Sequence, residues 1–418
     1  MLKISNYKKI FLKEVVFQFI EKTVRMVLGI IVIKQLSAYF GPSNYGIFNF
    51  VEIYFMIFIG LSVFGSNVTL VRMFKKDDSD TIIGNGLSVL SIFTLIFFLI
   101  SFIVISISFD SLKKDLLFLV SLGVLFNPLY VIECYLISKN KIRVTSILKS
   151  ISFVIKSVLI LLFISYEFNL KSFVLIIVLE SFIYNLSLYI YFLKSKKKLS
   201  FHFDLKIIKE IIYPSIYLCL YSLGTMIYFR IDIFMIEYFL TDLEMGIYTA
   251  AYKLMSFTFF IPHIISNTLF PKIIEIVNSK TPNVKSFKNM YKLNFYISLI
   301  IFISIFLLSD FLIDNIFGTK FKDSIIILKI ISFNVVLIAI SSIYLRIIYS
   351  KNLEKRLLSR ILTGIFINII LNLLLIGSFG LTGVAVSTLL SLIILELFYD
   401  FFDKKLLDHH IFKLKSLL

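Results

Sequence analysis

Charge, cysteine and long polar segments are all scarce in this chain. Only 17% of its 418 residues are Asp, Glu, Lys or Arg, whereas 59% are hydrophobic. A soluble chain of this size cannot cover so much apolar surface with so thin a polar shell, which excludes a soluble globular protein. The two cysteines, Cys134 and Cys219, lie far apart inside apolar runs and match no metal or redox spacing. They read as small buried hydrophobes. There is no His/Glu metal spacing, nucleophile elbow, phosphate-cradling glycine loop or paired acidic motif on an exposed loop. His409 and His410 fall in the polar C-terminal tail without neighbouring ligands. A small-residue cleavage site after a short apolar core is missing too, so no removable signal peptide is expected. Together these absences argue against an enzyme, against direct ATP hydrolysis, and against a resident metal or cofactor.

What is present is apolar sequence in long runs. Mean hydropathy is +0.94, and most hydrophobic stretches exceed the ~18 residues that mark a membrane helix, without the alternation of a barrel strand. The expected class is an all-α polytopic membrane protein. Twelve spans can be drawn, at 10–36, 45–74, 82–109, 115–138, 145–166, 170–193, 210–240, 244–277, 288–309, 322–349, 355–377 and 381–403. The chain carries a formal charge of +17, and the spans sort it. One side receives the basic residues near the N-terminus, around 72–76, 139–143, 194–209, 272–292 and 351–360, and after 404; the other holds only Lys113, Lys114, Lys171, Lys320 and Lys322. The positive-inside bias makes both termini cytoplasmic and leaves no surplus that calls for nucleic acid.

The sequence also repeats. Tyr39 to Phe48, with Gly46-Ile47, resembles Tyr238 to Tyr248, with Gly246-Ile247, at an offset of 200 residues, and Asn67 matches Asn267 at the same offset. The expectation is two six-helix lobes, 1–200 and 201–418, each entering from the same side and related by a parallel pseudo-two-fold axis. The Lys-rich break at 194–209 would link them.

Several spans carry groups that hydrocarbon does not tolerate. In the first, Glu14, Gln18, Glu21, Lys22, Arg25 and Gly29 share a sector of roughly 100°. Ionisable groups at membrane depth are costly and normally face protein or a watery cavity. Span two adds Glu52 and Asn67. In span seven Tyr217, Tyr221, Gly224, Thr225, Tyr228 and Asp232 fall on one face, with Arg230 and Glu237 opposite, and Pro214 can loosen its start. Span eight adds Tyr248, Tyr252, Ser256, His263 and Asn267, with Lys253 at the edge. An ion pair of Arg25 with Glu21, or of Arg230 with Glu237, would serve only to lock helices. Otherwise the concentration of polar groups in spans one, two, seven and eight points to a polar cavity and to transport.

The turn Phe40-Gly41-Pro42-Ser43-Asn44-Tyr45-Gly46-Ile47-Phe48 resembles the one after the first helix of polysaccharide-unit flippases. So do Arg230-x-Asp232, Gly246 to Leu254, Phe270-Pro271, and Phe379 to Thr388. The chain is similar to the Wzx family of O-antigen or capsule repeat-unit translocases, in the superfamily that includes MATE drug exporters. That resemblance implies a MATE-like fold in a bacterial inner membrane. The implied activity is alternating-access flipping of an undecaprenyl-diphosphate-linked oligosaccharide to the periplasmic leaflet, with a polysaccharide polymerase complex as a further expected partner; the membrane-depth carboxylates add H+ or Na+ antiport as the expected drive. The resemblance implies a cationic site with Arg25, Arg230 and Lys253, matched also by Asp232, and the stripe of span one adds Lys22 to it. Polar and ion-coupling roles would fall to Asp232, Glu21, Glu52, His263, Tyr228, Tyr252, Asn67 and Asn267. The competing readings are a cation-coupled drug exporter and a membrane polymerase or ligase. In an unbroken helix Arg230 and Asp232 would point roughly 160° apart, so both could serve one site only if span seven is distorted.

Overall fold

The structure is a computed structural model that describes residues 2–77, 80–109, 111–194, 199–277, 284–351, 353–402 and 413. Side chains are described from Lys22 onward, save at 271, 284, 285, 354, 355 and 402. The described secondary structure is all helical: α1 (Leu2–Val63), α2 (Ser66–Lys76), α3 (Asp80–Ser108), α4 (Ser111–Ser121), a 3-10 segment (Leu122–Leu129), α5 (Tyr130–Ser138), α6 (Ile142–Ser165), α7 (Leu170–Leu193) and α8 (Leu205–Tyr228). There follow α9 (Ile231–Phe239), α10 (Asp242–Thr258), α11 (Phe260–Val277), α12 (Val284–Ile316), α13 (Ser324–Ser332), α14 (Asn334–Ser350) and α15 (Glu354–Leu397). Among the described residues, nine helical stretches are long and apolar enough to cross a membrane. The chain is a multi-pass membrane protein.

Two of those stretches, Lys22–Lys76 and Arg356–Phe401, are far longer than one crossing needs. Each contains a break at a glycine. Gly41 adopts φ 67° and ψ 179°, a left-handed conformation that costs a side-chain-bearing residue energy. The following Pro42 has no N–H to give the preceding turn and is suited to begin the next helix. Gly380, at φ 52° and ψ −133°, interrupts α15 in the same way.

The chain divides into two compact units. The first comprises Met1–Phe40 and Ile47–Leu223. Its core gathers Leu70, Phe74, Ile83, Leu87, Val131, Leu136, Leu188, Phe192 and Ile211, all buried. The start of α8 is fixed here: Ser215 Oγ donates to Thr69 Oγ1 at 3.0 Å. The segment before α8 is tied to α3, where the Asn85 side chain accepts from the Asp204 amide at 2.7 Å and Ser88 Oγ donates to the His202 carbonyl at 2.8 Å.

The second unit comprises Gly41–Gly46 and Gly224–Leu418. It contains Gly41–Gly46 of the first motif and the whole of the second, paired by the 200-residue offset, and these touch. A Cβ on Gly246 would sit 1.9 Å from the Pro42 carbonyl oxygen, and one on Gly46 would sit 2.4 Å from that of Asp242. Glycine at both positions is what lets the two backbones approach. Tyr45 is buried edge-on against Phe317 and Phe321 beside them. α10 starts at a reciprocal cap: Thr241 Oγ1 accepts from the Glu244 amide, and the Glu244 carboxylate accepts from the Thr241 amide.

Candidate functional site

The most developed polar site lies in the second unit, where span seven is not one helix. α8 ends at Tyr228 and α9 begins at Ile231. Between them Arg230 takes φ −131° and ψ −6°, and its amide donates to the Ile227 carbonyl at 2.9 Å, a tight turn rather than a helical one. Pro214, by contrast, lies inside a continuous α8. Asp232 falls in the first turn of α9, where the exposed N–H groups of a helix favour negative charge.

Asp232 is 2% exposed. Its Oδ2 accepts from the Tyr248 hydroxyl and from Thr388 Oγ1, both at 2.6 Å. Its Oδ1 accepts from Asn372 Nδ2 at 3.4 Å. Asn372 also donates to Asn368 Oδ1 at 2.7 Å, Asn368 donates to Ser391 Oγ at 3.2 Å, and Ser391 meets the Tyr228 hydroxyl at 3.2 Å. A buried polar network thus joins α8, α9, α10 and both parts of α15. Asn372 Oδ1 is buried with no hydrogen-bond partner. Every donor on Asp232 is neutral, and among the described residues no cation pairs with it. A buried carboxylate without counter-charge is strongly disfavoured, and takes up a proton or a cation when one can reach it.

Arg230 points to the same helix. Its guanidinium lies over the Tyr252 ring, 4.8 Å from the centroid, and Tyr252 stacks on Tyr248 with centroids 6.5 Å apart and planes 18° apart. The helix break removes the expected opposition of the two side chains. Arg230 and Asp232, two residues apart, reach rings one turn apart on α10. Arg230 makes no ion pair with Glu237 or with another carboxylate among the described residues, so a helix-locking pair is not what holds it.

The first unit holds Lys22 and Arg25; Glu21 lies among the residues whose side chains are not described. Lys22 is exposed, and Arg25 is half-buried with its guanidinium 5.0 Å from the Phe153 ring centroid. Glu52 joins an ion triad. Lys156 Nζ lies 3.0 Å from Glu52 Oε1 and 2.9 Å from Glu180 Oε2, with the Lys156 side chain 10% exposed. Glu133, buried, accepts from Lys149 at 2.5 Å and from the Tyr184 hydroxyl at 2.6 Å. Asn67 is exposed.

In the second unit Tyr228 and Tyr252 are buried, Lys253 is half-buried, and His263 and Asn267 are exposed. A separate ionic cluster sits beside Tyr344: Arg360 Nη2 is 2.7 Å from Glu396 Oε2, and the fully buried Lys413 Nζ is 3.3 Å from Asp400 Oδ2. Tyr228, Asp232 and Tyr252 are therefore brought together, with Arg230 beside them, whereas His263 and Asn267 stay apart from that network. Sequence reasoning missed Asn368, Asn372, Thr388 and Ser391 as site members, and placed Tyr248 on the polar face of span eight without a role. Two asparagines four apart in apolar sequence, Asn368 and Asn372, were the available signal. Among the described residues no group of three His, Cys, Asp or Glu side chains is arranged to hold a metal ion; the donors around Asp232 are hydroxyls and amides.

Comparison with known proteins follows the same lines. Residues 11–277 match the family described as polysaccharide biosynthesis protein. Among solved structures, the chain is similar to the lipid II flippase MurJ in an inward closed conformation, with TM-score 0.77 and 18% identity over 96% of this chain and 91% of that one. It is similar to an inward-facing multidrug resistance MATE family transporter of the MOP superfamily, with TM-score 0.69 and 13% identity over 96% and 98% of the two chains. A MOP superfamily transporter from Pyrococcus furiosus, its binding pocket described as of reverse polarity, gives TM-score 0.61 and 14% identity over 92% and 94%. No curated protein matches the sequence. At these identities the structures establish a shared fold.

Proposed function

The chain belongs to the polysaccharide biosynthesis protein family, and from that premise we propose that it is a flippase for lipid-linked oligosaccharides. The substrate is an undecaprenyl-diphosphate-linked repeat unit, taken from the cytoplasmic to the periplasmic leaflet of a bacterial inner membrane by alternating access in exchange for H+ or Na+. The twelve-span, two-lobed arrangement with cytoplasmic termini belongs to this reading.

One observation carries it. At a helix break, Arg230 has an aromatic ring and no carboxylate among the described residues, while two residues on Asp232 has hydroxyls and amides and no cation. The first group suits an anion and the second a cation. Guanidinium offers two parallel charge-assisted hydrogen bonds to a phosphate. Asp232, with Thr388 Oγ1 and the partnerless Asn372 Oδ1, offers oxygen donors to a small cation, or a carboxylate to a proton. Arg25, Lys22 and Lys253 are further candidates to neutralise the diphosphate. Glu52, already held by Lys156, is the weaker coupling candidate.

Similarity to MurJ, a lipid II flippase, supports the same chemical class. Similarity to a multidrug resistance MATE family transporter supports a second reading, drug export, but a guanidinium without a carboxylate partner among the described residues is a poor wall for a cationic drug. The test is leaflet accessibility of the lipid-linked unit in cells carrying Arg230→Gln, Arg25→Ala or Asp232→Asn at native expression. Flipping predicts that the unit accumulates facing the cytoplasm and surface polysaccharide falls. Accumulation on the periplasmic face would instead indicate a polymerase or ligase. Unchanged polysaccharide with raised drug sensitivity would indicate an exporter.

A further inference from the structure

Four side chains of the second unit form one line of contacts. The Asp232 carboxylate receives the Tyr248 hydroxyl at 2.6 Å, the Tyr248 ring stacks on Tyr252, and Tyr252 supports the Arg230 guanidinium at 4.8 Å. Tyr248 is fully buried and Tyr252 nearly so. We propose that Tyr248 and Tyr252 couple the cation on Asp232 to the diphosphate on Arg230, so that each ligand weakens the other; this rests on the reading of those two groups as ion and substrate ligands.

The route is as follows. A cation arriving at Asp232 takes lone pairs that the Tyr248 hydroxyl now occupies, and a hydroxyl hydrogen aimed at that carboxylate then faces like charge. The hydroxyl gives up its bond. That bond anchors the far end of the Tyr248 ring, so the stack with Tyr252 loses its fixed partner in a close-packed interior. The guanidinium above Tyr252 then loses its preorganised position, and diphosphate affinity falls. Direct electrostatics acts the other way: neutralising a carboxylate two residues from Arg230 strengthens anion binding there. The sign of the coupling therefore distinguishes the tyrosine route from simple charge.

The experiment uses the full chain in lipid nanodiscs, with farnesyl diphosphate as the anion probe and Na+ and H+ varied separately. The quantity read is the ratio of the farnesyl diphosphate Kd with and without saturating cation, taken within each variant. In the unaltered protein one of the two cations should raise Kd about fivefold or more, as expected for ordinary coupled sites. Tyr252→Phe, which keeps the ring, should retain the weakening. Tyr252→Leu and Tyr248→Phe should lose it or reverse its sign; the latter removes a single oxygen and guards against a folding defect in the former. Weakening that persists in both, or no weakening in an unaltered protein that binds both probes, overturns the coupling role while leaving the ligand assignments standing. Cation binding unaffected by Asp232→Asn, or farnesyl diphosphate binding unaffected by Arg230→Gln, overturns the assignments and the coupling with them.

Discussion

Asp232→Asn is the most informative single change, because the surroundings of that carboxylate separate its charge from its shape. The substituted side chain keeps one carbonyl oxygen to accept from Tyr248 and Thr388, the two donors now at 2.6 Å. Its new amide nitrogen faces Asn372, whose Oδ1 has no partner and can accept after an amide flip; a matching flip of Asn368 replaces the bond that Asn372 Nδ2 now gives it, with Ser391 Oγ turned to donate. The network is therefore refilled and the fold retained, while the site's affinity for a cation is lost. In proteoliposomes with the membrane potential clamped at zero, a tenfold inward cation gradient is worth about 1.4 kcal/mol per ion. One ion exchanged per cycle then sustains about a tenfold excess of substrate in the receiving leaflet. The assay uses a fluorescent sugar on a lipid diphosphate and a membrane-impermeant quencher. The unaltered protein should approach the tenfold ratio, and Asp232→Asn should equilibrate the leaflets at a ratio of about one. An undiminished ratio in the variant would refute the assignment of the coupling ion to Asp232.

Three further outcomes test the structural reasoning. Lys156→Met strands Glu52 and Glu180, which now share its ammonium; stability should fall by about 3 kcal/mol, the low end for breaking a buried pair because both carboxylates keep some exposure, and combining it with Glu52→Gln and Glu180→Gln should restore most of the loss in a denaturation titration. Gly246→Ala directs a methyl group to within 1.9 Å of the Pro42 carbonyl and should cost about 3 kcal/mol or more, seen as loss of monodisperse protein on size-exclusion chromatography. Burial holds the Lys413 ammonium below its usual 10.5, so below 10.5 the folded chain binds fewer protons there than the unfolded chain. Stability consequently rises with pH through the interval between the lowered value and 10.5, and the thermal midpoint should climb toward alkaline pH more in the unaltered chain than in Lys413→Met.

Hydropathy made the helical class and most of the spans legible: the expected 170–193 coincides with α7, and the break between the first two spans falls at Gly41-Pro42, as the turn chemistry requires. The glycine repeat was legible as well, though only as a similarity; that Gly46 and Gly246 meet face to face is tertiary information. The break after Tyr228 was not legible. Neither glycine nor proline occurs at Phe229 or Arg230, and the proline that does stand in that span, Pro214, leaves α8 continuous. The turn coincides instead with Asp232 reaching Thr388 and Asn372, partners far along the chain. Those partners were hard to single out because short polar residues in helices usually bond their own backbone. Thr388 and Ser391 do so here, to the carbonyls of Val384 and Thr388, while also joining the network.

The two units treat their sequestered carboxylates, Glu52 and Glu180 half-buried and the others buried, differently, and that difference bears on which of them can respond to an ion. In the first, Glu52 and Glu180 share Lys156, and Glu133 holds Lys149. Each of these acids already has a tethered ammonium at contact distance, which an incoming cation must displace against strong local attraction. In the second, Glu396 and Asp400 are likewise matched by Arg360 and Lys413, but among the described residues Asp232 has only neutral donors. Discharging a proton or sodium ion from Asp232 leaves hydrogen bonds strong enough to stabilise the carboxylate and no fixed charge to replace the ion. Reversible occupancy requires that balance: enough stabilisation to release the ion, too little to make the empty site permanent. By this criterion Asp232, at the end of the tyrosine line from Arg230, is the acid to which the proposed function assigns the coupling ion.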